Sequence, residues 1–382
     1  MKTDGNTQSA TTTGGVAPNE NPLLAGVRIL DLSRLLPGPF CTLYLAQMGA
    51  DVVKVEEPAG GDYLRADFPE LFELVNRGKK SVTLDLRLSK HRAEFLRLAA
   101  DSDVVLESFR PGVMDRLGCG YEVVSAVNPR IVYASLSGYG QTGPYRTRPG
   151  HDLNYRGYAG ELDQTGERDG RPASGNFAVA DLAGGALTCA VAILGALLGV
   201  KVNGVGTYID AAMLDGTLAL QVVSLATLRR TGRAPQRGCD RLSGVFPNYD
   251  VYECADGRHL AVGAVEPKFF REVLRATGTE VPPGADLRMA MSALFKTRTR
   301  DDWERDLASL ETCVSAVLAP DEALENEQVK ARGIVERRNG GPAFRFPAQF
   351  SHARTHSGSA PRLGADNQQL LIETPTSMET KA

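Results

Sequence analysis

Residues 26–41 read GVRILDLSRLLPGPFC, and this run decides the fold. Val27 to Leu32 is short and mostly apolar, with Val27 and Ile29 β-branched, as a strand of a parallel sheet should be. The turn Arg34-Leu35-Leu36-Pro37-Gly38-Pro39 follows, then an apolar stretch of helical length, Cys41 to Met48, with Gly49 as its stop. The unit recurs. Further strands are expected at Asp51–Glu56, Ser81–Leu86, Val104–Glu107 and Ile131–Ser137, with a helix over Lys90–Ala100. Such alternation predicts an α/β fold with a doubly wound parallel sheet. The first turn also excludes a function. A nicotinamide or flavin site needs GxGxxG there, so that backbone N–H groups reach the pyrophosphate, and Pro37 and Pro39 have none to offer. Glu56, at the end of the second strand, is accordingly read as a strand-end carboxylate.

Composition narrows the classes further. The 382 residues carry 43 basic and 46 acidic side chains, a formal net charge of -3 that gives no field drawing the chain to nucleic acid or an anionic membrane. Six cysteines form no CxxC pair, so a reduced compartment without structural zinc is expected. Residues 1–21 are polar, lack the features of a targeting segment and read as a disordered tail. The uncharged stretch Leu182 to Val200 has barely the length of a membrane span, and its four glycines suit packing inside protein instead.

Beyond Asp181 the alternation stops. A long apolar helix is followed by a turn-rich link at Lys201–Thr207 and a second helical segment over Ala211–Arg230. A loop rich in Gly, Arg and Pro spans Gly232–Gly244. Tyr249–Gly263 reads as a hairpin turning at Ala255-Asp256-Gly257, and helices are expected around Pro267–Thr277 and Arg300–Leu310. These make a second, smaller α+β domain.

Several groups stand where chemistry is possible. Asn76-Arg77-Gly78-Lys79-Lys80 precedes a strand and Phe109-Arg110-Pro111-Gly112 follows one, with Arg116 close by. Such cations either grip phosphates or sit solvated in loops. His151, between Gly150 and Asp152, is either a loop and capping residue or a proton carrier. Asp181 stands at the first position of the apolar helix. It is either an N-cap or a base favoured by the helix N-terminus, with Gly184 and Gly185 leaving room for a bulky thioester. Glu266, just before Pro267, is either a surface glutamate at a helix start or a group that orients a histidine across an interface.

Ordered blocks between about Leu23 and Leu371 make the chain resemble the family III CoA-transferase (CaiB/BaiF) group, and within it the α-methylacyl-CoA racemase branch. The blocks include Leu36-Pro37-Gly38-Pro39-Phe40-Cys41, Asn76-Arg77-Gly78-Lys79, Arg110-Pro111-Gly112-Val113, Gly138-Tyr139-Gly140-Gln141-Thr142-Gly143-Pro144, Gly150-His151-Asp152-Leu153-Asn154-Tyr155 and Val262-Gly263-Ala264-Val265-Glu266-Pro267. The resemblance implies a Rossmann-like large domain built from N- and C-terminal segments, a small domain, and an interlocked homodimer whose active site lies between one chain's large domain and the other's small domain. On this chain that gives a large domain over 22–200, a linker and helix over 201–238, a small domain over 239–325, a return over 326–372 and a tail over 373–382. The implied partners are an acyl-CoA substrate and a second copy, without nucleic acid or membrane, in the cytoplasm. No cofactor is implied beyond the coenzyme A that the substrate carries.

The resemblance also implies roles. His151 and Asp181 move the α-proton on opposite faces, while Asp152 and the partner's Glu266 orient the histidine. Asn76, Arg77, Lys79, Ser108, Arg110, Arg116, Gly150, Asn154 and Tyr155 hold coenzyme A. Backbone N–H groups after Asp181 are expected to receive the enolate oxygen. In the transferase branch the same aspartate is a nucleophile and the histidine is often missing. Racemases usually carry an arginine where this chain has Glu57. The Gly238–Gly244 loop also departs from racemase text.

Overall fold

The computed structural model describes residues 22–280, 286–338 and 340–372. The expected tails at 1–21 and 373–382 lie outside the described residues. Six parallel strands form the main sheet: β1 (Arg28–Asp31), β2 (Asp51–Glu56), β3 (Lys80–Thr83), β4 (Val104–Glu107), β5 (Val132–Ser137) and β6 (Thr207–Ala212). Their order, β3-β2-β1-β4-β5-β6, reverses direction between β1 and β4, as in a doubly wound dinucleotide-type sheet. Alternate residues of each strand feed two cores. Ile29, Val52, Val104 and Ala134 face the long apolar helix, while Leu30, Val53, Val105 and Tyr133 face the helix Ser89–Ala100.

The sixth strand corrects the sequence reading, which set a link at Lys201–Thr207 and helix from Ala211. The apolar helix instead continues to Asn203, and Thr207–Ala212 pairs with β5 along its whole length. Helical structure resumes at Met213–Ala219 and Val222–Thr231. A second antiparallel sheet of β7 (Tyr249–Glu253), β8 (His259–Gly263) and β9 (Val314–Ala316) carries its own core around Tyr252, Leu260, Phe295 and Trp303. The hairpin of β10 (Val335–Arg338) and β11 (Gly341–Phe344) follows. The chain then returns to the parallel sheet. Asp366 bonds both backbone groups of Ser81, at 2.8 and 3.0 Å, and the Asn367 side chain accepts from the Thr83 N–H at 2.8 Å, which covers the free edge of β3.

The apolar helical stretch Ala180–Asn203 has a mean hydropathy of 2.1 and is long enough to cross a membrane. It is not wholly enclosed. Cys189, Ala190 and Ile193 pack into the sheet core, whereas Val191, Leu198 and Val202 stand exposed.

Candidate active site

Two segments converge where Asp181 sits. His151 is the exposed N-cap of the helix Asp152–Ala159, and the Asn154 side chain accepts from its backbone N–H at 3.1 Å. The next residue, Asp152, reaches across 28 residues of sequence. Its Oδ1 accepts from the Ala180 N–H at 2.7 Å and from the Asp181 N–H at 3.1 Å. Asp152 thus fastens the histidine segment to the start of the aspartate helix. Its bonds run to that backbone and to Arg156 at 3.5 Å, so orienting the His151 ring, the role expected of it, has no bond behind it among the described residues.

Asp181 lies in the first turn of a π-helix, Ala180–Leu187, which leads into the α-helix Thr188–Asn203. Widened turns of this kind recur at functional sites. Burial, and after it the neighbouring Asp152 carboxylate, push the Asp181 carboxyl up to about 7. A carboxyl so placed exchanges protons near neutral pH. Tyr155, the other side chain at the site, is buried and donates to the Gly150 carbonyl at 2.5 Å. Burial raises its phenol first and the Asp181 carboxylate adds to that rise, which marks the two as neighbours.

Two expectations concern this helix, an enolate contact after Asp181 and room for a thioester at Gly184 and Gly185. The N–H groups of Ala180 and Asp181 are taken by Asp152, and that of Leu182 by the Ala178 carbonyl at 2.9 Å, so none of the three is free for an enolate oxygen. Gly184 and Gly185 do not open space for a thioester. They face Thr217 and Met213, and a Cβ on Gly216 would overlap the Gly184 carbonyl, so the glycines let two helices approach backbone to backbone.

The residues expected to hold coenzyme A divide. Asn76 and Lys79 are buried in a closed network. The Lys79 ammonium bonds Asp31 at 3.1 Å, the Pro39 carbonyl at 2.9 Å and Asn76 Oδ1 at 2.9 Å. Burial takes the ammonium down to about 8 against the pull of Asp31. Burial also raises the Asp31 carboxyl, but Lys79, Lys54, Ser33 and Thr42 together outweigh it and hold the group well below the usual carboxylate range. Arg77 is buried as well and donates to the carbonyls of Leu74 and Phe344. These three brace the sheet. Ser108 accepts from the Arg34 N–H at 3.2 Å and steadies the turn after β1. Arg110 and Arg116 are exposed, the former beside Tyr155. Glu266 is exposed as the N-cap of the helix Pro267–Thr277, with no bond to His151 or Asp181 of its own chain among the described residues.

Sequence reasoning missed part of the lining of a cleft beyond the strand ends. A cavity of about 610 Å³ lies just past the carboxyl ends of β1 to β4, where the strand order reverses. Arg34, Tyr63, Arg87 and Phe109 line it together with Glu57. Arg34 is held over the rings of Tyr63 and Phe109, at 5.2 and 5.3 Å, and donates to the Tyr63 hydroxyl at 3.1 Å. Position just beyond the strand ends, on both sides of the reversal, was the available signal for these residues.

Known proteins sharpen the picture. The model of CoA-transferase family III matches residues 24–367. The α-methylacyl-CoA racemase of Homo sapiens is 36% identical over 319 residues, which is 81% of each chain. A succinate–glutarate CoA-transferase of Agrobacterium fabrum is 33% identical over 396 residues, 94% of this chain and 97% of that one. Among solved structures, a CaiB/BaiF family protein from Brucella suis superposes with a TM-score of 0.82 at 30% identity, covering 91% of this chain and 98% of its own.

Proposed function

This chain belongs to CoA-transferase family III, and from that premise we propose that it epimerises 2-methylacyl-CoA thioesters at the α-carbon by two-base proton transfer. The observation that carries the reading is the Asp181 carboxyl near pH 7, tied through Asp152 to the segment bearing His151. An α-proton beside a thioester is weakly acidic, and a base whose proton affinity matches the working pH is best placed to take and return it. In one direction Asp181 removes the proton, the electron pair moves onto the carbonyl oxygen as an enolate, and the protonated His151 delivers its proton to the opposite face. The reverse direction exchanges the roles. The imidazole is oriented by the partner's Glu266 in a homodimer, a reading supported by the exposed apolar side chains of Val191, Leu198, Val202, Leu220 and Val222. The nucleotide end of the substrate lies in the cleft with Arg34 and Arg87, and Arg110 lies toward the reacting end. The coenzyme A carried by the substrate is the only cofactor proposed, and the setting is cytoplasmic.

A second reading has its own support, since relatives of comparable identity are named for CoA transfer. There Asp181 attacks the thioester carbonyl and releases CoA thiolate, an incoming carboxylate displaces the donor acid from the acyl-aspartyl anhydride, and the thiolate then takes the new acyl group and frees Asp181. An aspartate held near pH 7 is half protonated and a poorer nucleophile, which favours the first reading. One incubation separates them: a single-enantiomer 2-methylacyl-CoA in deuterated water, with and without a free carboxylic acid. Epimerisation with α-deuteration supports the proposal. CoA transfer without α-deuteration replaces it with the second reading.

A further inference from the structure

We infer that Arg148 is a specificity residue that recognises a carboxylate at the acyl end of the site, an inference resting on the reading of that site as one for acyl-CoA. Arg148 stands three residues before His151, and two tyrosines fix its guanidinium. It lies 3.8 Å from the centre of the Tyr145 ring, and its Nη1 donates to the Tyr158 hydroxyl at 3.2 Å. Its own backbone is turned back, the Arg148 N–H donating to the Tyr145 carbonyl at 2.8 Å.

The tyrosines continue inward to the reacting groups. Tyr145 and Tyr158 meet at 5.1 Å between ring centres, Tyr139 touches both at 6.0 Å, and Tyr139 meets Tyr155 edge-on at 5.1 Å. Tyr155 neighbours Asp181. His151, Tyr155 and Tyr158 stand four and then three residues apart at the start and along one side of the same helix, so the aromatic wall rises on the histidine side. Loop and helix come this close because Gly138 and Gly150 bear no side chain, and a Cβ on Gly150 would come 2.8 Å from the Tyr139 hydroxyl.

Three features make this a recognition group instead of a solvated charge. Arg148 is exposed, yet among the described residues no carboxylate lies within ion-pair distance of it. A guanidinium has five N–H donors and Tyr158 takes one nitrogen, which leaves an edge for a two-pronged carboxylate contact. The ring stack and the hydroxyl bond hold it in place beforehand, so little side-chain freedom is lost when a ligand arrives. The carboxylate belongs either to the acyl group itself, as in a thioester with an acid at its far end, or to a free acid bound beside the thioester.

The test is a binding measurement that needs no turnover. Two unreactive S-alkyl-CoA thioethers of equal chain length, one ending in methyl and one in carboxylate, are titrated calorimetrically into wild type, Arg148→Met and Arg148→Lys. Succinate is then titrated into each protein saturated with the methyl-ended ligand. The expected result is that Arg148→Met weakens either the carboxylate-ended thioether relative to its methyl twin, or succinate, by about fivefold, with partial recovery in Arg148→Lys and a loss that shrinks in salt. The first outcome assigns the carboxylate to the acyl group, the second to a separate acid. Equal affinity ratios in wild type and Arg148→Met, with unchanged succinate binding, overturn the inference. Failure of either thioether to bind wild type brings down the acyl-CoA reading and this inference with it. Absence of α-deuteration by wild type rejects epimerisation alone and leaves the binding ratios to judge Arg148.

Discussion

Replacing Asp181 by Asn keeps the shape of the side chain and removes its charge, and the site predicts that the protein gains stability while losing activity. The native carboxyl is raised from an ordinary 3.8 to about 7, chiefly by burial and secondly by the Asp152 carboxylate. Between those two pH values the native state binds more protons than the unfolded state, so wild-type stability falls as pH rises through that window. The Asn variant has no such slope. At about 1.4 kcal/mol per tenfold change in proton affinity, the ceiling is ~4 kcal/mol. Asp181 is only half-buried, so solvent relaxation brings the expected gain to roughly 2 kcal/mol, or a few degrees in Tm for a protein of this size. Thermal unfolding of both proteins from pH 4.5 to 8.5 measures it. The melting curves should nearly coincide at the acid end and separate progressively up to pH 7, with the variant higher. Parallel curves, or a variant less stable at pH 8, would refute the claim that the Asp181 charge is held against its preference.

His151→Ala should reduce epimerisation at least a hundredfold, the usual contribution of a positioned proton carrier, while α-deuterium exchange on the aspartate face persists; NMR of the recovered thioester reads both quantities. Lys79→Met should cost about 3–5 kcal/mol in chemical denaturation by leaving the buried Asp31 carboxylate without its ammonium partner, and a variant as stable as wild type would return Lys79 to coenzyme binding. Gly216→Ala should cost about 1–3 kcal/mol, because its methyl overlaps the Gly184 carbonyl and forces the π-helix away from its neighbour; activity should fall with stability in the same preparation.

The strands that could be read residue for residue, β2 and β4, lie inside the sheet and are rich in valine, so composition marks them although β2 carries Lys54 and Glu56 on one face. β6 escaped because Thr207–Ala212 is an edge strand with an exposed first half, and its Tyr, Ile and Ala residues carry no alternation; only pairing with β5 makes it a strand. At the site, the family resemblance singled out His151 and Asp181, but no spacing rule reveals that Asp152 caps a helix 28 residues away. The burial of Lys79 was illegible for a physical reason. Lysines are rarely buried, and what buries this one is Asp31, 48 residues earlier, which local sequence cannot supply. Arg34 was overlooked for the converse reason, since its value lies in the rings of Tyr63 and Phe109, which reach it only once the sheet has formed.

The cover on the edge of β3 bears on how the protein is made. Asp366 and Asn367 emerge from the ribosome about 285 residues after the strand they close. At roughly 5–20 residues per second, the nascent sheet waits between about 15 and 60 seconds with that edge unsatisfied. During this interval a second nascent chain on the same message presents the same unpaired strand nearby. The turn at Asp366 and Asn367 therefore acts as a timed seal. The hazard of edge-to-edge pairing is set by the speed of translation through the second domain as much as by the stability of the finished fold.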